Sequence, residues 1–391
     1  MAQKTSRARV YLDNGNGRPL SAGVRVAAAE ALAHCGNPSS IHAEGRAAAR
    51  LRDQAREQLA ALIRARPEEI SWTSCGTEAN VWALIGLAGM QRGAGRHLVV
   101  SAVEHLSVLE TARRMEKEGW SVTVLPVDRQ GRVDAEQVDR ALTAQTALVS
   151  LQWANPEVGT LQPIAEAARR VKGRGILFHC DAIAAVGQVP VDVQAVPVDA
   201  LSLAAGPFGG PPGVGALYLR KGVRLAPLFV GGAQENGRRA GTENLLGVVG
   251  MGAAAAEAAQ ALPALAGTLT PLRDRLVRGI LELLPEAALN GHPTERLPGH
   301  VSISFPGADA EVLLLTLDRE GFSVGLGSAC VSRTMKSSHV LKAMGLEPLH
   351  ALGTVTFTLG SGNTQEEVEA LLAALPRSVA ESARTREMAL K

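Results

Sequence analysis

The stretch Ile70-Ser-Trp-Thr-Ser-Cys-Gly-Thr-Glu78 joins a β-rich run to a helical pattern, and this unit decides the fold. Its first four residues are strand-like, and a helical period follows over 78–87. The same alternation continues to about residue 220. Further strand-like runs lie at 98–100, 122–125, 147–151 and 176–178, separated by helical patterns over 107–118 and 163–172. Such alternation predicts an α/β fold whose large, mainly parallel sheet is flanked by helices on both faces.

A second, smaller set of elements follows this alternation. Helical patterns at 243–262 and 271–284 precede strand-like runs at 301–304 and 355–358 and a helical run at 310–320. The pattern relaxes between 263 and 270, which we interpret as the boundary. We therefore predict a large domain over 14–262 and a smaller α+β C-terminal domain formed by 1–13 and 263–391.

Composition and charge indicate which kinds of partner and which cellular compartment to expect. The chain has 391 residues with 40 basic and 38 acidic side chains, so its formal net charge of +2 gives no reason to expect nucleic acid or a membrane surface as a partner. No signal peptide is evident, and the alanine-rich run 248–265 is interrupted by Glu257 and Gln260, which favours a soluble helix. Four cysteines without a C-x-x-C pair argue against a zinc or disulfide scaffold and predict a cytoplasmic protein.

Seven short motifs along the chain are each weak alone but share one order and spacing. They are Tyr11-Leu-Asp-Asn14, Asn37-Pro-Ser-Ser-Ile-His-Ala-Glu-Gly-Arg46, Gly76-Thr-Glu-Ala-Asn80, Glu104-His105, Gly231-Gly-Ala-Gln-Glu235, Arg239-Ala-Gly-Thr-Glu-Asn244 and Gly327-Ser-Ala-Cys330. Together they resemble the cysteine desulfurases (NifS/IscS-like) of the class V aminotransferase family. The resemblance implies the pyridoxal-phosphate (PLP)-dependent transferase fold type I and a homodimer. It also places the cofactor cradle and dimer interface in the large domain, and the Cys330 loop in the small one.

The resemblance assigns six residues to a PLP cradle: Gly76, Thr77, His105, Asn155, Asp181 and Thr242. Thr77 matches the phosphate-binding threonine, at a strand-to-helix junction where backbone N–H groups favour an anion. A plain helix N-cap at this junction is equally compatible with the sequence. His105 matches the ring-stacking histidine, although a structural histidine fits as well, and Asp181 matches the partner of the pyridine nitrogen. Thr242 would reach the phosphate in the neighbouring subunit's site.

The loop Leu201-Ser-Leu-Ala-Ala-Gly-Pro-Phe-Gly-Gly-Pro-Pro-Gly-Val-Gly215 departs from this family at its central chemical group. Pro207 stands where the family has the Schiff-base lysine, and proline carries no side-chain amine. Thr356 stands where an arginine clamps the substrate carboxylate, a bidentate contact that one hydroxyl does not replace. Other family positions are changed at Ala184, Ala204, Gly206, Pro212 and Gly15-Asn-Gly-Arg18.

A substitute amine has few sources, because the chain has only seven lysines: Lys4, Lys117, Lys172, Lys221, Lys336, Lys342 and Lys391. Of these, only Lys336 is a candidate, since it follows Cys330 in a segment that is a mobile loop in the family. We therefore expect no covalently bound cofactor, with PLP as the ancestral ligand.

Two cysteines carry separate hypotheses. Cys330 matches the family's persulfide-forming cysteine and is interpreted either as a persulfide acceptor or as an inherited bystander. Cys75 replaces a glycine of the family at a helix N-terminus. It is interpreted either as a reactive thiol or as a small buried residue in the place of glycine.

Three functions follow from these observations. The first is a pseudoenzyme of the desulfurase family, a non-catalytic partner or persulfide relay in sulfur transfer and Fe–S assembly. It would act as a homodimer, as a heterodimer with an active desulfurase, or with a sulfur-acceptor or Fe–S scaffold protein. The alternative is an active PLP-dependent cysteine desulfurase, converting L-cysteine to L-alanine and an enzyme persulfide through an unrecognised lysine or non-covalent PLP. The third is a pocket repurposed for another anion. We predict the first.

Overall fold

The computed structural model describes residues 9–90, 95–326 and 338–389. The large sheet and its flanking helices comprise α1 (Ala22–Leu32), α2 (Ala43–Leu62), β2 (Ile70–Thr73), α3 (Gly76–Met90), β3 (His97–Ser101), α4 (Leu106–Lys117), β4 (Ser121–Leu125), α5 (Ala135–Ala141), β5 (Thr146–Gln152), α6 (Ile164–Gly173), β6 (Leu177–Asp181), β7 (Ala200–Ala204), β8 (Gly215–Leu219) and α7 (Leu245–Leu283). The remaining elements are β1 (Val10–Leu12), β9 (Ala288–Asn290), β10 (His300–Ser304), α8 (Ala310–Arg319), β11 (Phe322–Val324), α9 (His339–Ala343), α10 (Pro348–Leu352), β12 (Thr354–Thr358) and α11 (Gln365–Ala389).

The predicted α/β architecture is confirmed by a seven-stranded sheet in the order β2-β8-β7-β6-β5-β3-β4. The strands from β4 to β7 are parallel, whereas β8 pairs antiparallel with both β2 and β7. Strands β3 and β5 are buried along their whole length, as their near-continuous apolar runs require between two helical layers. This arrangement brings the carboxyl ends of β3, β5 and β6 to one edge of the sheet.

A separate hydrophobic core lies under the smaller sheets. Strands β12, β10 and β9 form an antiparallel sheet, and β1 pairs in parallel with β11. Leu12 from the N-terminal segment packs in this core with residues from the second half of α7 and from α8 and α11. The predicted domain division stays a prediction.

Helix α7 differs from the two helices predicted there, because it continues through both Pro263 and Pro271. A proline inside a helix leaves the carbonyl four residues earlier without its N–H donor. Both prolines are exposed, and so are Ala259 and Gly267, the residues four positions before them. Water can therefore reach the carbonyl groups of Ala259 and Gly267. The core-facing side chains Leu265, Leu269, Leu276 and Ile280 are buried and hold the helix together.

By length and composition α7 could cross a membrane, and it is the only such helix among the residues described. It instead packs along α1 and α2 and, near its end, on α11. A Cβ on Gly252 would lie 2.5 Å from the Ala55 Cα of α2, so this crossing needs glycine. These contacts are those of a core helix.

Candidate functional site

A cavity of about 350 Å³ opens where the carboxyl ends of the parallel strands meet the N-terminus of α3. Crevices at this edge of an open α/β sheet are the usual place for ligands. Five of the six residues assigned to the cradle line it, namely Gly76, Thr77, His105, Asn155 and Asp181. The topology thus brings together residues that lie more than one hundred positions apart in sequence.

The cradle at the start of α3 is tightly packed. A Cβ on Gly76 would lie 2.3 Å from Ile183 Cδ1 and 3.3 Å from Ala204 Cβ, so a larger residue here would require Ile183 to move. Glu78 accepts hydrogen bonds from the Ser74 backbone N–H at 2.7 Å and from the Ser74 hydroxyl. The Cys75 Sγ accepts from the Glu78 backbone N–H at 3.5 Å. Cys75 is exposed and lines the cavity, so the interpretation of this residue as a small buried replacement for glycine is wrong.

Asp181 lies at the end of β6 in a network of neutral donors. Its carboxylate accepts from Asn80 Nδ2 at 2.7 Å and from the Ile183 backbone N–H at 3.0 Å. Burial raises the pKa of Asp181, and the charge of nearby His105 opposes that rise. Asn80 also donates to the Ser107 hydroxyl at 2.9 Å. That hydroxyl oxygen lies 2.7 Å from His105 Nδ1.

His105 is the N-cap of α4 as well as a wall of the cavity. Its Nδ1 accepts from the Ser107 backbone N–H at 3.1 Å, so whenever the ring is neutral its proton is on Nε2. The structural and the ligand-facing interpretations of His105 are therefore compatible. The Asn155 amide is occupied in a similar way: its Oδ1 accepts from the backbone N–H groups of Glu157 and Val158, and its Nδ2 donates to the Val103 carbonyl.

Thr242 does not line the cavity of its own chain. It lies in the segment 231–244, where its Oγ1 accepts from Asn37 Nδ2 at 3.4 Å. Glu235 anchors this segment through two 2.7 Å hydrogen bonds from the Arg56 guanidinium and one from the Trp72 backbone N–H.

The positions that depart from the family also converge on the cavity. Its wall includes Ala184, Ala204, Gly206, Pro207 and Pro212. Within the described chain, no lysine or arginine lines it. The Pro207 carbonyl accepts from Gln188 Nε2 at 3.0 Å, which fixes this loop beside the cavity. Thr356 lies instead in β12, buried and paired with Ser302 of β10.

Arg18 contacts this loop through its backbone N–H, which donates to the Gly206 carbonyl at 3.2 Å. Its Nε and Nη2 are buried without a partner among the residues described, and burial lowers its pKa to about 10. The guanidinium does not line the cavity, so it does not replace the missing cations there.

Four further polar residues that no motif identified as site candidates line the cavity. They are Glu104, Gln152, Glu157 and His339. Burial raises the pKa of Glu104 to about 8 and that of Glu157 to about 7. Burial also lowers the pKa of His339, whose Nε2 lies 2.9 Å from the Glu104 carbonyl. The signal was available in part, since Glu104 belongs to the motif Glu104-His105, Glu157 lies two residues after Asn155, and Gln152 is a polar residue ending a buried strand.

These residues fit only part of PLP. Asp181 and His105 suit a protonated ring nitrogen and a ring face. The described lining offers no amine for covalent attachment and no cationic side chain of lysine or arginine for a phosphate. Cys330 and Lys336, the predicted persulfide acceptor and the candidate substitute amine, lie outside the described residues.

Comparison with known proteins gives the family. The sequence profile of the class-V aminotransferases matches residues 10–371. Cysteine desulfurase IscS of Methanosarcina thermophila is 42% identical over 380 residues, covering 96% of this chain and 93% of the relative. Cysteine desulfurase IscS 1 of Archaeoglobus fulgidus is 42% identical over 367 residues, covering 94% and 96%.

Solved structures agree with the sequence relatives. A NifS-like protein superposes with a TM-score of 0.89 at 34% identity, covering 95% of this chain and all of that one. A NifS-like protein from Rickettsia africae superposes with a TM-score of 0.85 at 28% identity, covering 95% and 99%. The large parallel sheet, the small domain and the full-length similarity agree, and the chain belongs to the class V aminotransferase family, among its NifS/IscS-like cysteine desulfurases.

Proposed function

We propose that this chain is a desulfurase-family pseudoenzyme, a non-catalytic partner or persulfide relay in sulfur transfer and Fe–S assembly. The observation that carries the proposal is Pro207 on the cavity wall, where the family's lysine would stand. Without that amine the cofactor cannot form a Schiff base with the protein. The proton transfer that the lysine carries out in the family also has no group to perform it. The buried Thr356 of β12 supports the same conclusion, because its hydroxyl does not clamp a carboxylate as a guanidinium does.

The first test is the visible absorbance of the purified protein with and without added PLP, followed by borohydride reduction and peptide mapping. We expect no reducible lysine adduct in the wild type. The matched variant is Pro207→Lys, which places an amine on the cavity wall and is expected to trap PLP. A wild-type adduct on any lysine, Lys336 included, would replace the proposal by an active PLP-dependent cysteine desulfurase.

Relay through Cys330 requires only thiol–disulfide chemistry. The Cys330 thiolate attacks the outer sulfur of a donor protein's persulfide, the donor's S–S bond breaks, and the donor thiolate leaves, so no external oxidant is needed. The test mixes the protein with an active desulfurase charged with radiolabelled cysteine. We expect label on the wild type and on Cys75→Ser but not on Cys330→Ser. Equal labelling of all three proteins would rule out a persulfide relay through Cys330.

Under the same proposal the chain is cytoplasmic, and it forms either a homodimer or a heterodimer with an active desulfurase. Its support is two exposed apolar side chains: Val230 directly precedes the segment carrying Thr242, and Ile41 lies four residues after Asn37, which contacts Thr242. Ile41 is 90% exposed and Val230 84% exposed in the single chain. A sulfur-acceptor or Fe–S scaffold protein is the further partner that a relay requires.

A further inference from the structure

Two buried oxygens of residues that line the cavity have no partner in the part of the chain that the structure describes. They are Glu104 Oε2 and Gln152 Oε1. Both residues line the cavity, and their exposed fractions are 0% and 1%. A buried polar atom without a hydrogen bond costs free energy, so each such atom in a folded protein calls for an explanation.

The two side chains are neighbours held in place by their other atoms. The Gln152 backbone N–H donates to Glu104 Oε1 at 3.0 Å, and the Ser101 hydroxyl donates to the same oxygen at 2.6 Å. Gln152 Nε2 donates to the Val103 carbonyl at 2.7 Å, and this bond fixes the orientation of the amide and therefore of its oxygen. The two free oxygens are therefore fixed, and an ionised Glu104 and the Gln152 amide oxygen both accept hydrogen bonds.

The ionisable side chains around these oxygens are mostly carboxyl groups. Glu104, Glu157 and Asp181 all line the cavity, and the described lining contains no lysine or arginine to balance them. The two histidines of the lining are His105, bonded to Ser107, and His339, whose pKa burial lowers. The remaining wall is largely apolar, with Val103, Ile183 and Val214 among its members.

We propose that this cavity binds a small organic cation with N–H donors, an amine or amidine on an apolar body, at Glu104 and Gln152. The N–H groups would satisfy both free oxygens, and the positive charge would favour the ionised form of Glu104. The raised pKa of Glu104 agrees with this, because a carboxyl kept protonated by burial ionises when a cation replaces its proton. The inference goes beyond the proposed function and does not depend on it.

Three probes of one shape and different charge test the proposal on the full chain: benzamidine, benzamide and benzoate. Isothermal titration calorimetry at pH 7 should detect benzamidine binding, with at least ten-fold weaker binding of benzamide and none of benzoate. Glu104→Gln and Gln152→Met should each weaken benzamidine by about ten-fold, the usual effect of losing one charge-assisted or buried hydrogen bond. The control Glu136→Gln makes the same change at an exposed residue of α5 and should leave affinity unchanged.

A second readout separates a specific site from loose association. Benzamidine binding should release protons, measured as a dependence of the binding enthalpy on the buffer's ionisation enthalpy, and this release should fall in Glu104→Gln. Melting curves of each variant establish that it is folded. Binding of benzoate as tight as that of benzamidine, or no binding of benzamidine to the folded protein, would overturn the inference. Either result leaves the PLP-trapping test of the proposed function unaffected.

Discussion

At the scale of single residues, two cysteines of the large domain have opposite surroundings. Cys75 is exposed at the start of α3, with its Sγ near the Glu78 backbone N–H. Cys180 lies in the interior of β6, and burial raises its pKa well above the ordinary value, with Asp181 and Glu104 adding to the rise. A thiolate is the reactive form of cysteine, so exposure and burial should separate the two in solution.

We expect iodoacetamide to alkylate Cys75 in the native protein while Cys180 stays unmodified, as measured by peptide mass mapping over time. Cys180 is the internal control, because it should be labelled only after unfolding in denaturant. Labelling of Cys75 only under the denaturing conditions that expose Cys180 would contradict its placement at the open cavity.

Much of the element pattern was predictable, because buried strands and amphipathic helices leave a periodicity that the sequence displays. Strand β2 begins and ends where the run Ile70-Ser-Trp-Thr73 predicts. Helix α7 was not predictable, since the prolines that suggest a break lie on its solvent face, and only the folded chain reveals which face that is. Likewise, β8 enters the sheet antiparallel, a pairing that no local pattern specifies.

The cavity was predictable where family motifs mark it and unpredictable elsewhere. Asp181 and His105 were found because each belongs to a motif, and the strand ends converge on them. Gln152 and His339 were missed because a single polar residue at an element end has no periodicity. Their roles arise from sharing a cavity, which is a tertiary property.

His179 ties three strands of the large sheet together. Its Nδ1 lies 2.8 Å from the Ser150 hydroxyl of β5, and its Nε2 lies 2.9 Å from the Ser202 hydroxyl of β7. Both contacts are made by a fully buried ring, and burial lowers the pKa of His179 to about 3. The folded protein therefore holds this imidazole neutral at pH values where the unfolded chain protonates it.

The stability that His179 contributes should be present above pH 6.5 and lost as the pH falls towards 3. Below pH 6.5 the unfolded state binds the extra proton, so the free energy of unfolding falls by up to about 1.4 kcal/mol per pH unit. In His179→Gln the melting temperature should decline less steeply between pH 6.5 and 4.5 than in the wild type. The control His34→Gln changes an exposed histidine and should keep the wild-type slope. Equal slopes in all three proteins would refute the assignment.

At the scale of the whole molecule, the two most exposed large apolar side chains are Ile41 and Val230. Leu32, Ile41 and Val230 are 72%, 90% and 84% exposed, and they flank the Asn37–Thr242 contact in sequence. Exposed apolar side chains that form a contiguous patch are typical of an association surface. A second copy of this chain is the occupant that the family resemblance favours, and it would bring Thr242 towards the partner's cavity.

Light scattering after size-exclusion chromatography should therefore give twice the 40.8 kDa mass of one chain. The double variant Ile41→Asp and Val230→Asp should elute as a folded monomer, because a dimer interface does not accommodate two unpaired carboxylates. Leu315→Asp is the matched control, since Leu315 is 62% exposed on α8 of the small domain, and it should remain dimeric. A wild type that is monomeric at tens of micromolar would exclude the homodimer. A shift to a mixed species on adding an active desulfurase would then support the heterodimer instead.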